Sequence, residues 1–297
     1  MSRTRYRGRF APSPSGPLHF GSLVAAVASY ADARHHHGDW LIRIEDVDET
    51  RTRPGAETSI LHALTAFGMH ADEPPLRQSE RKPLYGQALD RLLADDRIYR
   101  CSCSRRKIAM IATIGPEGPV YPRTCRRQPP PADAPAALRI EVPAGIITFD
   151  DRVVGPVTQD VAQEIGDFVV RRLDGFTAYQ LAVVVDDADQ GITDIVRGAD
   201  LLWSTPRQLW LQRLLGFPEP RYAHVPLALD ASGRKLSKRD AAHPLDDDDP
   251  LPALRAAWQH LGQATPTTSP DSVDAFWRWA IPHWRMDRVP NGKARQA

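Results

Sequence analysis

Residues 12–22, Pro-Ser-Pro-Ser-Gly-Pro-Leu-His-Phe-Gly-Ser, decide most about the fold of this 297-residue chain. Prolines and a glycine make the start of this stretch a turn, and an apolar run from Leu23 to Ala31 follows it directly. The stretch therefore predicts a loop that enters a helix. Backbone N–H groups at such a helix start attract phosphate, and the imidazole of His19 adds a donor beside them.

A second segment, Lys235-Leu-Ser-Lys-Arg239, follows the turn residues 230–233 and carries two lysines and a serine. On a loop, these groups are placed to close over a polyphosphate. Each segment alone has an ordinary explanation, because glycine-proline loops commonly only turn the chain and lysine-rich runs commonly only face solvent. Together, in this order, they resemble the HIGH and KMSKS signatures of the class I aminoacyl-tRNA synthetases.

The composition is that of an ordinary globular protein, with 42% hydrophobic and 25% charged residues. A net charge of +1 excludes a uniformly cationic nucleic-acid surface but allows local basic patches, which are either phosphate contacts or solvated arginines. These patches are Arg3 to Arg9, Arg105 to Lys107 and Arg123 to Arg127. No stretch approaches the length of a membrane span, and three cysteines form no disulfide framework. We therefore expect a cytoplasmic, monomeric enzyme without membrane contact.

Strand and helix patterns alternate along the first hundred residues. Strands are predicted over 6–11 and 40–44, and helices over 22–34, 55–67 and 79–93. This alternation favours an α/β fold, with a Rossmann-type parallel sheet that helices cover on both faces. Residues 179–185 are apolar enough for a further strand that is buried on both faces.

The pattern changes between residues 98 and 177, where cysteines, Pro/Gly loops and short β-like pieces occur. We predict four regions. Residues 1–97 and 178–228 form the two halves of the catalytic domain, residues 98–177 an insertion that folds on its own, and residues 229–297 the KMSKS-like loop with a small helical region. By resemblance, the insertion is acceptor-binding-like and the last region is stem-contact-like.

Polar and charged residues cluster where the predicted strands begin or end. They occur in Arg9-Phe10-Ala11-Pro12-Ser13 at the carboxyl end of the first strand, at Glu45 after the second, at Tyr179 at the start of the returning strand, and at Arg197. Because open α/β sheets bind ligands at the carboxyl ends of their strands, we expect these residues around one crevice. Two arginines, a carboxylate, a phenol and a hydroxyl suit a ligand with two carboxylates and one ammonium. A structural ion pair of Glu45 with Arg43 or Arg197 is the alternative.

Three stretches closely resemble the glutamyl-tRNA synthetase family: Arg-Phe-Ala-Pro-Ser-Pro-Ser-Gly at 9–16, Arg-Ile-Glu-Asp-Val-Asp at 43–48, and Ile-Val-Arg-Gly-Ala-Asp at 195–200. The resemblance covers about residues 7–239. It implies that the crevice residues from Arg9 to Ser13, Glu45, Tyr179 and Arg197 contact L-glutamate. The implied reaction is attack of the glutamate α-carboxylate on the α-phosphate of ATP, which gives glutamyl-adenylate and pyrophosphate.

The same resemblance implies the catalytic and nucleotide-binding residues. No covalent nucleophile is needed, so catalysis rests on positioning and on charge stabilisation. The expected donors to the phosphate charge are His19, Lys235 and Lys238, and the expected ATP contacts are His19, Gly21 and Lys238. A Mg²⁺ ion would arrive with ATP and needs no protein cage. The chain departs from the signature at Ser22, which stands where the second histidine would be.

Cys101, Cys103 and Cys125 form a C-x-C…C set, one ligand short of the four that structural zinc prefers. No histidine lies between Cys101 and Cys125, so Tyr121 or a water would complete the set; three buried, unligated thiols are the alternative. The C-x-C…Y-x-x-x-C pattern resembles the zinc site of one branch of the family, the glutamyl-Q tRNA(Asp) synthetases. That resemblance implies one structural Zn²⁺, held by Cys101, Cys103, Tyr121 and Cys125.

About sixty residues follow Arg239, so we expect no anticodon-binding domain of the kind found in longer glutamyl-tRNA synthetases. The glutamyl-Q branch implies activation of glutamate without tRNA, followed by transfer to the queuosine base in the anticodon of aspartate tRNA. Arg105 to Lys107 and Arg123 to Arg127 are candidates for contacts with its phosphates. Two other functions stay open: a minimal glutamyl-tRNA synthetase that charges a tRNA 3′ end, and a catalytically silent paralogue that binds tRNA or glutamate.

Overall fold

The structure, a computed structural model, describes residues 5–229 and 245–292, and the backbone of residues 294–296. The Lys235–Arg239 segment, with the predicted catalytic residues Lys235 and Lys238, lies outside the described residues.

The strands and helices are named here in chain order. The strands are β1 (Arg7–Phe10), β2 (Asp39–Ile44), β3 (Leu76–Arg77), β4 (Ile98–Cys101), β5 (Ile114–Gly115), β6 (Gly118–Pro119), β7 (Ala137–Ile140), β8 (Ile147–Asp151), β9 (Gly155–Gln159), β10 (Val169–Arg171), β11 (Asp194–Gly198), β12 (Arg221–Val225), β13 (Leu227–Leu229) and β14 (Ala294–Gln296). The helices are α1 (Phe20–His35), α2 (Ala56–Ala66), α3 (Lys82–Ala94), α4 (Arg105–Ile111), α5 (Thr124–Arg127), α6 (Val161–Glu164), α7 (Tyr179–Asp189), α8 (Thr205–Leu215), α9 (Leu251–His260) and α10 (Val273–His283).

A seven-stranded sheet with the order β3-β2-β1-β11-β12-β8-β9 forms the centre of the structure. All neighbouring pairs in it are parallel except β8 and β9. β1 is followed by β2 on one side, whereas β11 is followed by β12 on the other. A parallel sheet opens a ligand crevice at such a switch point, outside the carboxyl ends of its strands. The prediction of an α/β fold with a mostly parallel sheet is confirmed.

Helices cover both faces of the sheet because side chains alternate along its strands. In β2, Trp40 and Ile42 pack into one core cluster with α1, α2, α9 and α10, whereas Leu41 packs into a second cluster with α3, α7 and α8. None of these three side chains is more than 5% exposed. Two-sided burial explains the apolar run from Trp40 to Ile42 in β2.

Residues 179–185 form the first part of α7 and not the predicted strand. Every residue from Leu181 to Asp187 is buried, and α7 packs against α3 and α8. A continuous apolar run does not distinguish a buried strand from a buried helix. Here the packing of the helix outweighs the strand preference of three consecutive valines, residues 183–185.

Residues 98–177 do not form one separate fold. β4, β7 and β10 do make a three-stranded sheet of their own, with Cys101 at the end of β4. The hairpin β8–β9 instead joins the central sheet, where Asp151 of β8 pairs with Tyr222 of β12. The prediction of an independently folding insertion is therefore wrong for residues 147–159.

The end of the chain packs onto the first helix of the catalytic domain. α9 and α10 both contact α1. Two indole N–H groups anchor it: Trp277 donates to the Phe67 carbonyl at 2.8 Å, and Trp284 donates to the Asp32 carboxylate at 3.0 Å. Of the helices in the described part of the chain, none combines the length and the apolar character that crossing a membrane requires.

Candidate active site

A cavity of ≈ 310 Å³ lies at the carboxyl ends of β1, β2 and β11. It is lined by every described residue that the sequence predicts to contact glutamate or ATP: Arg9, Phe10, Ala11, Pro12, Ser13, His19, Gly21, Glu45, Tyr179 and Arg197. The structure thus brings the predicted residues together in one crevice. Tyr179 reaches it from the start of a helix, and not from a strand as predicted.

The loop between β1 and α1 is fixed by backbone hydrogen bonds. The N–H of Glu45 donates to the Pro12 carbonyl at 2.9 Å, which joins the ends of β1 and β2. His19 is the N-cap of α1, and its Nδ1 accepts the backbone N–H of Ser22 at 3.3 Å. The first turn of α1 holds no acidic residue, so nothing on it neutralises the positive end of the helix.

Beneath the cavity, two arginines share one carboxylate. The Nε of Arg9 donates to the Oδ1 of Asp187 at 3.1 Å, and the Nη2 of Arg43 lies 2.8 Å from the same oxygen. Burial alone would raise the pKa of the Asp187 carboxyl, but Arg43 and Arg9 outweigh it and hold that pKa below its usual range. Asp187 is therefore ionised and fixes the direction of both guanidinium groups.

Glu45 sits in this network without a hydrogen bond of its own to Arg43. Its Oε1 lies 3.7 Å from the Arg43 Nη2, so the ion pair of the alternative interpretation is present but long. The side chain is 8% exposed, and among the described residues Oε1 has no hydrogen-bond partner. Burial raises the pKa of Glu45 to about 7. A buried carboxylate oxygen without a donor is costly, and an ammonium group would satisfy it.

Arg197 is held on two sides. Its Nε donates to the Nε2 of His224 at 3.0 Å. Its Nη2 donates to the Oγ1 of Thr205 at 2.9 Å and to the Oε1 of Gln208 at 2.8 Å. The remaining nitrogen, Nη1, is buried and finds no hydrogen-bond partner within the described part of the chain. One fixed, unsatisfied N–H pair at the cavity wall suits a carboxylate.

The three cysteines come together at a second place, in the segment of residues 98–177. Their sulfur atoms all lie within 4.8 Å of one another, and those of Cys103 and Cys125 are 3.4 Å apart. The Tyr121 hydroxyl lies 3.2 Å from the Cys101 sulfur and 3.7 Å from the Cys103 sulfur. The predicted set of three thiols and one phenol is therefore assembled in space.

This set fits a tetrahedral zinc ion in size and in chemistry. Zinc–sulfur bonds of about 2.3 Å separate tetrahedral sulfur ligands by about 3.8 Å, close to the spacing found here. Burial alone would raise the pKa of Cys125, but hydrogen bonds from Tyr121, the Ser102 backbone and the other thiols lower it to about 7. Burial raises the pKa of Cys103 to about 11. One thiol is thus prepared to bind as thiolate, the form that ligates metals.

The sequence of this chain matches a known protein family over most of its length. The family model for tRNA synthetases class I (E and Q), catalytic domain, matches residues 5–260. The chain belongs to this family. It is therefore an enzyme of the class I aminoacyl-tRNA synthetase type, a ligase.

Two groups of proteins are similar to this synthetase. A glutamyl-Q tRNA(Asp) synthetase of Xanthomonas campestris is 54% identical over 98% of this chain and 95% of the relative, and one of Burkholderia cenocepacia is 54% identical over 94% and 96%. Among solved structures, a glutamate tRNA ligase from Elizabethkingia meningosepticum, in complex with its amino acid, has a TM-score of 0.83 at 27% identity. It is matched over 98% of this chain and 67% of its own.

Two of the basic patches differ in whether their side chains form ion pairs with acidic residues of the protein. Arg105, Arg106 and Lys107 are exposed at the start of α4. In the patch from Arg123 to Arg127, Arg123 pairs with Asp167 at 3.2 Å, and Arg126 pairs with Glu141, while Arg127 is exposed. The structure therefore gives Arg123 and Arg126 structural partners inside the protein.

Sequence reasoning missed the residues that hold the crevice from behind. Asp187 lies two residues beyond the predicted strand 179–185, and its ion pair with Arg9 joins two segments that are far apart in the sequence. His224 stands inside an apolar strand, and Asp151 was placed in a region expected to fold separately. The polar pair Asp186-Asp187 at the end of an apolar run was the one signal that pointed to a buried ionic network.

Proposed function

We propose that this synthetase activates L-glutamate with ATP, without tRNA, and transfers it to the queuosine base in the anticodon of aspartate tRNA. One observation carries the amino-acid part. Glu45 Oε1 and Arg197 Nη1 are buried atoms of opposite charge in one cavity, and neither has a hydrogen-bond partner in residues 5–229 or 245–292. The names of the similar proteins support the choice of acceptor.

In the proposed complex the glutamate ammonium binds Glu45, and its carboxylates bind the two arginines, Arg9 and Arg197. Burial raises the pKa of Tyr179, so its hydroxyl keeps its proton and can donate a hydrogen bond to the ligand. Phe10 to Ser13 form the wall of the cavity beside the ligand.

The first step joins glutamate to AMP. An oxygen of the α-carboxylate attacks the α-phosphate of ATP, the bond to the oxygen that bridges to the β-phosphate breaks, and pyrophosphate leaves. A Mg²⁺ ion that arrives with ATP would offset part of the phosphate charge. His19, Lys235 and Lys238 stabilise the charge that develops on the phosphates, and His19, Gly21 and Lys238 hold the nucleotide. His19 stands at the positive end of α1, where a phosphate is favoured.

The second step releases AMP. A hydroxyl of the queuosine cyclopentene-diol attacks the activated carbonyl carbon, an ester forms, and the bond to the phosphate oxygen of AMP breaks. The exposed cations Arg105 to Lys107, with Arg127, contact phosphates of the anticodon loop. Among the described residues these four cations form no ion pair, although Arg127 donates to the Pro122 carbonyl at 3.0 Å, whereas Arg123 is paired with Asp167.

A zinc ion would be held by Cys101, Cys103, Cys125 and Tyr121, and would stabilise the local fold of the acceptor-binding-like segment. It lies outside the reaction. Residues 1–97 and 178–228, together with β8 and β9, form the proposed catalytic unit; the rest of residues 98–177 form the acceptor-binding-like segment, and residues 229–297 the stem-contact-like region.

The test is transfer of labelled glutamate, with ATP, onto tRNA from cells that contain or lack queuosine. Label on the queuosine-containing pool alone is the expected result. Equal label on both pools, lost from the queuosine-lacking pool after periodate oxidation of the 3′ ribose, would instead show a minimal glutamyl-tRNA synthetase. No label on either pool would favour a silent tRNA-binding paralogue.

A further inference from the structure

We propose that Asp151 and His224 are positioning residues for Arg197, and that together they hold its guanidinium so that Nη1 faces the glutamate carboxylate. The inference rests on the proposed function, because it requires a carboxylate ligand at Arg197. It assigns a role in amino-acid binding to two residues that do not line the cavity.

Asp151 acts only as a hydrogen-bond acceptor, and all its donors are fixed. Its Oδ1 accepts the backbone N–H groups of Val153 at 3.0 Å, Val154 at 2.9 Å and His224 at 3.1 Å. Its Oδ2 lies 2.6 Å from the Nδ1 of His224. Burial alone would raise the pKa of Asp151, but these hydrogen bonds outweigh it and lower that pKa. An ionised Asp151 therefore requires the proton of His224 to be on Nδ1.

The opposite ring nitrogen of His224 is then left with a lone pair. It accepts the Nε–H of Arg197 at 3.0 Å. Burial lowers the pKa of His224 to about 4, so the ring is neutral at physiological pH. The three side chains are at most 4% exposed, so solvent does not compete for these hydrogen bonds. A neutral imidazole with its proton on Nδ1 is the one form that both neighbours accept.

The hydrogen bond from Nε to His224 complements the hydrogen bonds from Nη2 on the other side of the Arg197 guanidinium. Thr205 and Gln208 hold Nη2, and His224 holds Nε, so the plane of the Arg197 side chain has no freedom to turn. With the proton on Nε2 instead, His224 would turn a donor towards the donor of Arg197. The guanidinium would then lose one of its two grips, and Nη1 would leave the position that the ligand requires.

The arrangement follows from the order of the sheet. Arg197 of β11 and His224 of β12 are direct partners in the parallel register, and β8 with Asp151 is the next strand. The segment of residues 98–177, which contains the cysteine cluster, thus also supplies a residue that supports the amino-acid site. Arg197 and His224 are opposite each other in the register, whereas Asp151 is paired with Tyr222, two residues before His224, and reaches His224 through its side chain.

The test compares two variants that each keep one function of the imidazole. His224→Gln keeps an acceptor at the position of Nε2, whereas His224→Asn keeps a donor at the position of Nδ1 but leaves Arg197 without its acceptor. Glutamate-dependent ATP–pyrophosphate exchange without tRNA gives KM for glutamate, KM for ATP and kcat. We expect His224→Asn to raise KM for glutamate about tenfold with kcat within about twofold, and His224→Gln to restore most of the affinity.

Asp151→Asn provides a second, isosteric variant in case a change at His224 prevents folding. An amide that donates to Nδ1 moves the ring proton to Nε2, so KM for glutamate should again rise about tenfold. Tyr222→Phe is the matched control, because it removes one buried hydroxyl from the same strand, a hydrogen-bond partner of Gln212. Thermal unfolding of all variants separates loss of stability from loss of positioning.

Equal KM values for glutamate in the Gln and Asn variants, or an Asp151→Asn variant that matches Tyr222→Phe, would overturn the inference alone. A wild-type protein without any glutamate-dependent exchange would overturn the proposed function and this inference with it. The wild-type measurement therefore distinguishes the two failures.

Discussion

The glutamate crevice and the cysteine cluster are both made of buried polar groups, but only one of them is complete within the described structure. In the crevice, Glu45 Oε1 and Arg197 Nη1 have no hydrogen-bond partner among the described residues. In the cluster, the thiols of Cys101, Cys103 and Cys125 and the Tyr121 hydroxyl contact one another. Burial of polar groups therefore leaves atoms without partners in the crevice, whereas in the cluster the buried groups contact one another.

This difference matches the two kinds of ligand that the proposed function assigns to the two places. Charged atoms held in place without partners cost free energy until a ligand of the right charge arrives, which suits a substrate that leaves at every turnover. A closed cluster of soft ligands suits an ion that is bound once and stabilises the fold. Glutamate activation should therefore depend strongly on the crevice and weakly on the cluster.

The largest effect is expected from Arg197→Ala. It removes the fixed cation that the proposal assigns to a glutamate carboxylate, so kcat/KM for glutamate should fall about 10³-fold. ATP–pyrophosphate exchange measures it. Arg213→Ala is the control. Arg213 lies on α8 and forms an exposed ion pair with Glu219, so its substitution should leave the rate unchanged. Equal rates for the two variants would remove Arg197 from the site.

Lys238→Ala should separate the binding of glutamate from catalysis. A donor to the developing phosphate charge contributes to the transition state, so adenylate formation should fall about 10²-fold while glutamate affinity stays nearly constant. Exchange kinetics and calorimetric binding of glutamate measure the two quantities. The exposed Lys82, paired with Glu49, offers Lys82→Ala as a control. A loss of glutamate binding without a loss of rate would contradict the role of Lys238.

Protonation of Glu45 should weaken the crevice by a smaller factor. The pKa of Glu45 is raised to about 7 by burial, and only the ionised form attracts the glutamate ammonium. Affinity is therefore full above that pKa and declines as the pH falls through it, so KM for glutamate should rise about tenfold from pH 8 to pH 6. The variant Glu45→Gln should show a high KM that is flat with pH. A flat profile in the wild type would contradict this prediction.

Cys103→Ala should have the smallest effect on glutamate activation and the largest on the local fold. Loss of one of four ligands should remove the zinc and lower Tm by about 5–10 °C. KM for glutamate should change by less than about twofold, because the cluster does not touch the crevice. Metal analysis and thermal unfolding check this, with Ser102→Ala, between two of the cysteines, as control. A metal-free wild type of unchanged stability would refute the zinc assignment.

The sequence predicted the residues that line the crevice better than the elements that carry them. Arg9 and Arg197 lie near the carboxyl ends of β1 and β11, and Glu45 directly follows β2, so topology brings all three to one edge of the sheet. Tyr179 was placed correctly at the crevice but on a strand, because an apolar run of that length fits either element. Tyr179 lines the cavity because α7 begins beside the carboxyl ends of the strands, whereas a parallel strand that began at Tyr179 would have placed it at the opposite edge of the sheet.

Sequence patterns could not predict the buried residues that hold the arginines of the crevice in place. Asp151, Asp187 and His224 act through contacts between elements that are distant in the chain, and residue spacing does not predict such contacts. Asp151 also required that β8 join the central sheet, whereas the loops and cysteines around it indicated an insertion. The cysteine cluster was predictable because its ligands share one short segment and one chemistry.

The most direct test is ATP–pyrophosphate exchange by the wild-type protein in the complete absence of tRNA, with glutamate, glutamine and aspartate compared. Exchange with glutamate, and background rates with the other two, is the predicted result, because Arg197 and Glu45 are already fixed without tRNA. Exchange that appears only when tRNA is added, or that is equally fast with glutamine, would contradict a preformed glutamate site.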